Sequence, residues 1–117
     1  MSRPLLLSIA LGAIAAPALA QPVRPLPKPD AEFSEPFSAL NGVRELRDGR
    51  VVATDIRDKT VQVIDFKANA ARAVGREGSG PNEFGMPMRI VGLQGDTSAV
   101  FDPLNGRYFL VSPMGTA

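Results

Sequence analysis

Histidine, cysteine and tryptophan are all missing from the 117 residues, and there is a single tyrosine. Without histidine there is no imidazole to serve as a base or to hold a metal near neutral pH. Without cysteine there are no disulfides, thiolate nucleophiles, thiolate zinc sites or lipid attachments through sulfur. Net charge is also scarce. Thirteen Lys and Arg stand against twelve Asp and Glu, which gives no reason to expect nucleic acid or an anionic membrane surface as a partner. No long apolar run occurs beyond the first twenty residues. The length suits one domain at most.

Turn-forming residues are plentiful. Eleven Gly and eleven Pro are poorly tolerated in helix interiors, so many turns between short strands are expected.

Residues 1–20 read as an export signal peptide with a helical apolar segment. Arg3 supplies the positive start, Leu5–Ala16 is an apolar run, and Pro17 breaks it. Ala18-Leu19-Ala20 then gives the small-x-small pattern of signal peptidase, with Ala18 and Ala20 at the recognised positions. The run is shorter than the roughly 20 residues of a membrane span, although an uncleaved anchor is the competing reading. Cleavage would leave Gln21 first, and with no twin-arginine pair the general secretory route is expected. The mature chain is then periplasmic or extracellular and free of the membrane.

Residues 21–40 form the next unit. Pro22, Pro25, Pro27 and Pro29 favour an extended linker. A ligand for a proline-binding module is the alternative use. Ala31–Leu40 is ambiguous, with Phe33 and Phe37 able to pack on a domain and room for one extra strand.

Alternation becomes clear in residues 41–117. Val43–Leu46 is a short strand, and Asp48-Gly49 is a turn pair that tolerates positive φ. Arg50–Asp55 and Thr60–Asp65 follow as β-branched strands, and Ala71–Val74 reads as a fourth, outer one. Such a meander has one face to bury and needs something stacked on it.

Sliding the chain by 47 residues lays the second half on the first without a gap. Val43 meets Ile90, Leu46 meets Leu93, and Asp55 meets Asp102. Val61, Val63 and Ile64 meet Tyr108, Leu110 and Val111. Turn pairs coincide too, Asp48-Gly49 with Gly95-Asp96 and Asp58-Lys59 with Asn105-Gly106. A period near 47 with four strands per unit is the signature of a β-propeller blade. The competing arrangement is two unrelated hairpins in a small sandwich. The all-β expectation is therefore one complete blade at about 43–74, a loop at 75–87 and a partial second blade at about 88–117. Since propellers use four to eight blades, the sequence reads as an N-terminal piece of one.

The loop carries a more specific signal. Gly75-Arg-Glu-Gly78-Ser-Gly80-Pro81-Asn82-Glu83-Phe84 resembles the G-x-x-G-x-G-P-G-E-F interblade loop of bacterial six-bladed propellers of the NHL-repeat type. Asp48–Asp55 and Arg107–Gly115 are similar to that family's strand motifs. Asn82 departs from it, standing where the family commonly has Gly, and Phe66-Lys67-Ala68 lacks the family's Pro and Gly turn. The resemblance implies an exported binding scaffold whose ligand is a protein or a carbohydrate. Some relatives of the fold are hydrolases and lyases that use His or clustered Asp, Glu and Asn ligands, so the alternative is an enzyme whose active-site residues lie in further blades. No catalytic, cofactor or metal residue carries over to this chain.

Bland readings compete with the suggestive ones. Gly75-x-x-Gly78-x-Gly80 is no phosphate cradle, since no Gly-Lys-Ser/Thr follows and Pro81, Gly85 and Pro87 forbid the helix a dinucleotide fingerprint needs. In the loop reading the glycines supply positive φ, Glu83 satisfies loop amides or Arg76, and Phe84 plugs the gap between blades. Asp55 and Asp102 end equivalent strands and tempt as ligands, but an Asp there more often caps its turn. Asp102–Gly106 lacks the spacing and final Glu of a calcium loop. Tyr108 and Phe109 face opposite sides, so one belongs to the core. Arg44, Arg47 and Arg50 beside Glu45 and Asp48 read as solvated mixed charge.

Overall fold

The computed structural model describes residues 21–117. The expected signal segment, with Ala18 and Ala20, lies outside them. Residues 21–29 are exposed and without regular structure. No α-helix occurs among the described residues.

The first sheet is an antiparallel meander of β1 (Leu40–Glu45), β2 (Val51–Asp55), β3 (Thr60–Asp65) and β4 (Ala70–Ala73), in that spatial order. The second has β7 (Ile90–Gly92), β8 (Ser98–Asp102) and β9 (Arg107–Val111). Between them the loop at 75–87 contains a two-residue parallel pair, β5 (Arg76–Glu77) with β6 (Glu83–Phe84). This ladder inside the loop has no alternating apolar pattern to announce it.

The turns explain where strands stop. Gly49 (φ +86°), Lys59 (+51°), Asn69 (+47°) and Gly106 (+62°) are all left-handed. So are Gly95 (+64°) and Asp96 (+65°), in the tight turn Gln94–Asp96. Gly and Asn adopt this region at low cost. Strand ends differ from the sequence reading by small amounts: β1 starts three residues earlier, at Leu40, with a bulge at Asn41, and β2 starts at Val51 rather than Arg50.

The 47-residue shift carries β2 onto β8 residue for residue, and Thr60–Ile64 of β3 onto Arg107–Val111 of β9. The two sheets stack face to face with the same polarity. Cross-strand partners share a face, so Arg44, Val52, Val63 and Arg72 lie together on the first sheet, as do Gly42, Thr54 and Val61. That face meets Ile90, Val100, Phe109 and Val111 of the second sheet. The core is built from these valines with Leu46, Phe84 and Phe109. Polar closure accompanies it: Thr54 Oγ1 donates to the Met88 carbonyl at 2.7 Å.

The stacking is closest at Gly42. A Cβ there would come within 2.8 Å of Thr54 Oγ1, 2.9 Å of Ile90 Cγ1 and 2.9 Å of the Met88 carbonyl oxygen. Ile90 belongs to the other sheet and Met88 to the segment entering it, so β1 and β7 approach only because no side chain intervenes. Gly42→Ala is expected to destabilise the fold by about 1–3 kcal/mol through overpacking, read as a lower midpoint in chemical denaturation. An unchanged midpoint would mean that the sheets do not meet at this position.

Candidate functional site

Two buried aspartates organise the structure. Asp55 closes β2 and is 1% exposed; Asp102 closes β8 and is fully buried. Asp55 Oδ2 accepts from the amides of Ser38 (2.7 Å) and Ala39 (2.9 Å), and Oδ1 accepts from Arg57 (2.9 Å) and Asp58 (3.0 Å). Asp102 Oδ2 accepts from the Gly85 amide (2.9 Å) and Asn105 Nδ2 (2.8 Å), and Oδ1 from the Met86 amide (3.0 Å). Each carboxylate thus caps its own turn and also grips the chain entering its sheet. Gly85 and Met86 lie 47 residues beyond Ser38 and Ala39, so the clamp repeats with the sheets.

The electrostatics follow from this geometry. Burial pushes the Asp55 carboxyl up, but the amides of Asp58, Ala39, Ser38 and Arg57 together outweigh it and hold it below its ordinary value. Burial likewise raises Asp102, and the amides of Gly85 and Met86 with both donors of Asn105 bring it below. All four oxygens are occupied by protein donors, which leaves neither aspartate free for a metal or substrate. Among the described residues no cluster of three or more acidic, His or Cys groups is arranged to hold a metal ion.

The loop at 75–84 forms the seam between the sheets. Phe84 is 1% exposed and meets Phe109 edge-on, ring centroids 5.1 Å apart. An aromatic contact of this kind contributes about 0.5–1.5 kcal/mol beyond its burial. Glu83 folds back into the loop, with Oε2 accepting from the Gly80 amide (2.7 Å) and Oε1 from Arg76 Nε (2.7 Å). The Gly80 amide first, then Arg76, lower the Glu83 carboxyl.

The glycines divide their work differently from the sequence reading. Gly75 (φ +69°) and Gly78 (+157°) have positive φ, but Gly80 does not. Instead, a Cβ at Gly78 or Gly80 would collide with the Glu83 carboxylate. Asn82, at φ +57°, takes the left-handed position itself, which Asn tolerates. Asn105 Nδ2 reaches the Gly78 carbonyl (2.8 Å), and Arg107 donates to the carbonyls of Gly80 (2.5 Å) and Glu83 (3.0 Å), so the loop is held from β9 as well. Pro81 is exposed at the loop's tip.

The basic run corrects the solvated-charge reading. Arg44 is a clamp between sheets: Nη1 donates to the Thr97 carbonyl (2.5 Å) and Ser98 Oγ (2.7 Å), with Asp96 at 3.5 Å. Arg50 spans from its ion pair with Asp48 (2.7 Å) to the Pro113 carbonyl (2.5 Å). Arg72 reaches the carbonyls of Met114 and Gly115. Arg47 alone of the basic run is an exposed side chain. Charge next to charge in the sequence gave no hint that the acceptors were backbone carbonyls about fifty residues on.

Sequence reasoning also missed the upstream half of the aspartate clamp. The signal was available: the same 47-residue shift sets Phe37 on Phe84, ahead of the first strand. An open pocket of about 690 Å³ lies beside this entering segment, lined by Asp30, Glu45, Asp48, Arg50, Asp65 and Lys67 among others. Its charges are mixed and its walls are two turns with the strand ends beside them, so nothing in it selects a ligand.

No family model matches the chain, and no curated protein matches it.

Two predictions follow from the clamps. Asp55 and Asp102 have folded pKa values below the unfolded value of about 3.9, so the unfolded chain binds more protons in acid. Their stabilisation is complete above that value and is lost as pH falls through the lowered folded values. Unfolding free energy should stay level from pH 8 to about 5 and fall below about 4, with a shallower fall in Asp102→Asn. Equal acid slopes in both proteins would contradict the clamp. Separately, Arg44→Ala should cost about 1–3 kcal/mol, because it strips donors from the buried Ser98 hydroxyl and a carbonyl, whereas Arg47→Ala should stay within about 0.5 kcal/mol. Denaturant midpoints distinguish them.

Proposed function

We propose that the two sheets are consecutive blades of an exported, six-bladed β-propeller of the NHL-repeat type, and that the protein works by binding or scaffolding rather than catalysis. The observation that carries the reading is one period expressed three times. The 47-residue spacing recurs in sequence, in the strand positions of β2 and β8, and in the Asp55 and Asp102 clamps with their entering amides. Sheets that repeat head-to-tail with the same polarity, joined through a glycine-rich seam, suit radial repetition. A sandwich of two unrelated hairpins has no reason to repeat a buried carboxylate and its long-range partners.

The binding role rests on what the site residues are committed to. The strand-end carboxylates and Glu83 are satisfied within the protein, and the chain has no histidine or cysteine to substitute for them. The expected ligand is a protein or carbohydrate, met by a rigid β-surface. No helix among the described residues is long and apolar enough to cross a membrane. Export is supported by residues 1–20 alone: a basic start, a twelve-residue apolar run and the Ala18-Leu19-Ala20 site.

Mass analysis and N-terminal sequencing of the cell fractions test the address. The expected product is a chain beginning at Gln21 outside the cytoplasm, with Ala20→Arg blocking its formation. An uncleaved chain confined to the cytoplasm would refute export. For the non-catalytic part, the purified protein is expected to hydrolyse lactone and ester substrates no faster than buffer. Turnover above that rate, titrating with the protein, would overturn it.

A further inference from the structure

Residues 21–32 are exposed throughout and form no strand or helix. Among the described residues, hydrogen bonding to the fold starts at Ser34, whose amide and hydroxyl both meet Asn69 Oδ1 at 3.2 Å. Ser38 and Ala39 then give their amides to Asp55. Exposed chain of this kind is where proteolytic attack concentrates. Trimming that ran past Ser34 would go on to strip the Asp55 clamp of two donors. The stretch is written against such attack. In Gln21-Pro22-Val23-Arg24-Pro25-Leu26-Pro27-Lys28-Pro29, Val23–Arg24 is the one peptide bond with proline on neither side. Both basic residues, Arg24 and Lys28, stand directly before a proline, as do Gln21 and Leu26. An endopeptidase grips an extended chain through its amides. Proline has no N–H and a fixed φ, and it restricts the residue before it, so the bonds after Arg24, Leu26 and Lys28 are poor substrates.

Gln21 adds chemistry of its own. Cleavage after Ala20 frees its α-amine. An α-amino group titrates near about 8, so a useful fraction is the neutral, nucleophilic form at neutral pH. That amine is placed to close a five-membered ring on the Cδ carbon of its own side chain, and intramolecular ring closure gains greatly from proximity. The N–Cδ bond forms as the bond from Cδ to the side-chain nitrogen breaks. The proton lost by the amine goes to that nitrogen, which leaves as ammonia. Nothing is oxidised or reduced, and no co-reactant is consumed. The product is a neutral lactam, pyroglutamate. The amine has a second target in the Pro22 carbonyl. Attack there would release Gln21-Pro22 as a cyclic dipeptide, but it needs the Gln21–Pro22 bond in its minor cis form. The lactam route needs no isomerisation. Once it has run, the former amine is an amide nitrogen and no longer a nucleophile.

We propose that Gln21 is a modification site, that the exported chain begins with pyroglutamate, and that this cap and the prolines after it make residues 21–29 a protease-resistant leader to the first sheet. The two features guard one bare stretch against the two kinds of attack. The lactam removes the charged amine that aminopeptidases bind. The prolines remove the amides that endopeptidases need, and they do so next to Arg24 and Lys28, the two side chains a trypsin-like enzyme would select. This rests on the export reading for the position of the terminus. It does not depend on the blade reading or on ligand binding.

The test is tandem mass spectrometry of the first peptide of the protein as its host exports it, followed by digestion of the intact chain. The expected peptide starts at residue 21 and is lighter than its sequence by one ammonia, with the loss placed on Gln21. Gln21→Ala is expected to show no such loss and to be shortened by an aminopeptidase that accepts a proline in second place, while wild type keeps its terminus. Pro25→Ala is expected to be cut by trypsin after Arg24 under conditions that leave the wild-type leader whole. Both substitutions lie in exposed chain outside the sheets, so the fold is not at stake. A chain that starts at Gln21 with a free amine leaves export standing and overturns the cap. One that starts at Val23 does the same, because the cyclic dipeptide has then been lost instead. A chain that still carries residues 1–20 removes export and the cap together. If Gln21→Ala resists the aminopeptidase as wild type does, or trypsin cuts wild type after Arg24 as fast as Pro25→Ala, the protective role is refuted.

Discussion

The fold depends first on a carboxylate at the end of the second strand of each sheet. Placing Asp55 or Asp102 in the interior is unfavourable in itself, and each is tolerated only because several donors converge on it. Those donors come from two places in the chain. One pair belongs to the following turn, which fixes how β2 returns as β3, or β8 as β9. The other belongs to the segment about sixteen residues upstream, which fixes where the chain enters the sheet. A single side chain thereby sets the start of the first strand against the end of the second. Register in a sheet is otherwise free to slip by two residues without exposing the apolar face, and the clamp removes that freedom.

The second constraint is the shape of the core. It contains mostly valines, with Phe84 and Phe109 as the large side chains. Flat β-branched surfaces pack closely but give little lateral specificity. The arginines supply it. Arg44, Arg50 and Arg72 each extend from the first sheet or its turn to backbone carbonyls that flank the strands of the second, beyond the edge of the valine layer. Carbonyls as acceptors need no matching carboxylates, and Arg presents several donors in a fixed fork. The near-zero net charge of the chain is compatible with three inter-sheet arginines because their long stems cover apolar edges while their heads close the ends of strands.

Much of this was legible in the letters. Asp48-Gly49, Asn105-Gly106 and the alternation of Val61 and Val63 located turns and strands because those signals are local. The 47-residue shift located the repeat because core positions must recur when sheets do. The failures were long-range. Nothing adjacent to Arg44 reveals that Thr97 and Ser98 lie beside it, so neighbouring Glu45 and Asp48 suggested a solvated run. Asp55 reads as a turn cap because Arg57 and Asp58 are next to it, whereas Ser38 and Ala39 are reached only through the fold. Gly78 and Gly80 look like residues needing positive φ, yet the Glu83 carboxylate fills the space their side chains would take. Asn82 marks the reverse case. It departs from the motif in type while meeting the same backbone requirement.

Polarity of stacking has a consequence that does not depend on how many sheets there are. When every sheet offers one face forward and a different face behind, any finite stack ends with one unpaired face of each kind. The two faces differ here in chemistry as well as direction. Arg44 and Arg72 guard the covered forward face, and Val91, Tyr108 and Leu110 leave the open one apolar. A linear array would keep that apolar surface in water at its end, at a cost proportional to its area. The same geometry explains why the buried aspartates, rather than the apolar faces, define the individual sheet. The faces are shared between neighbours, while the clamp is completed within one sheet and the segment that enters it.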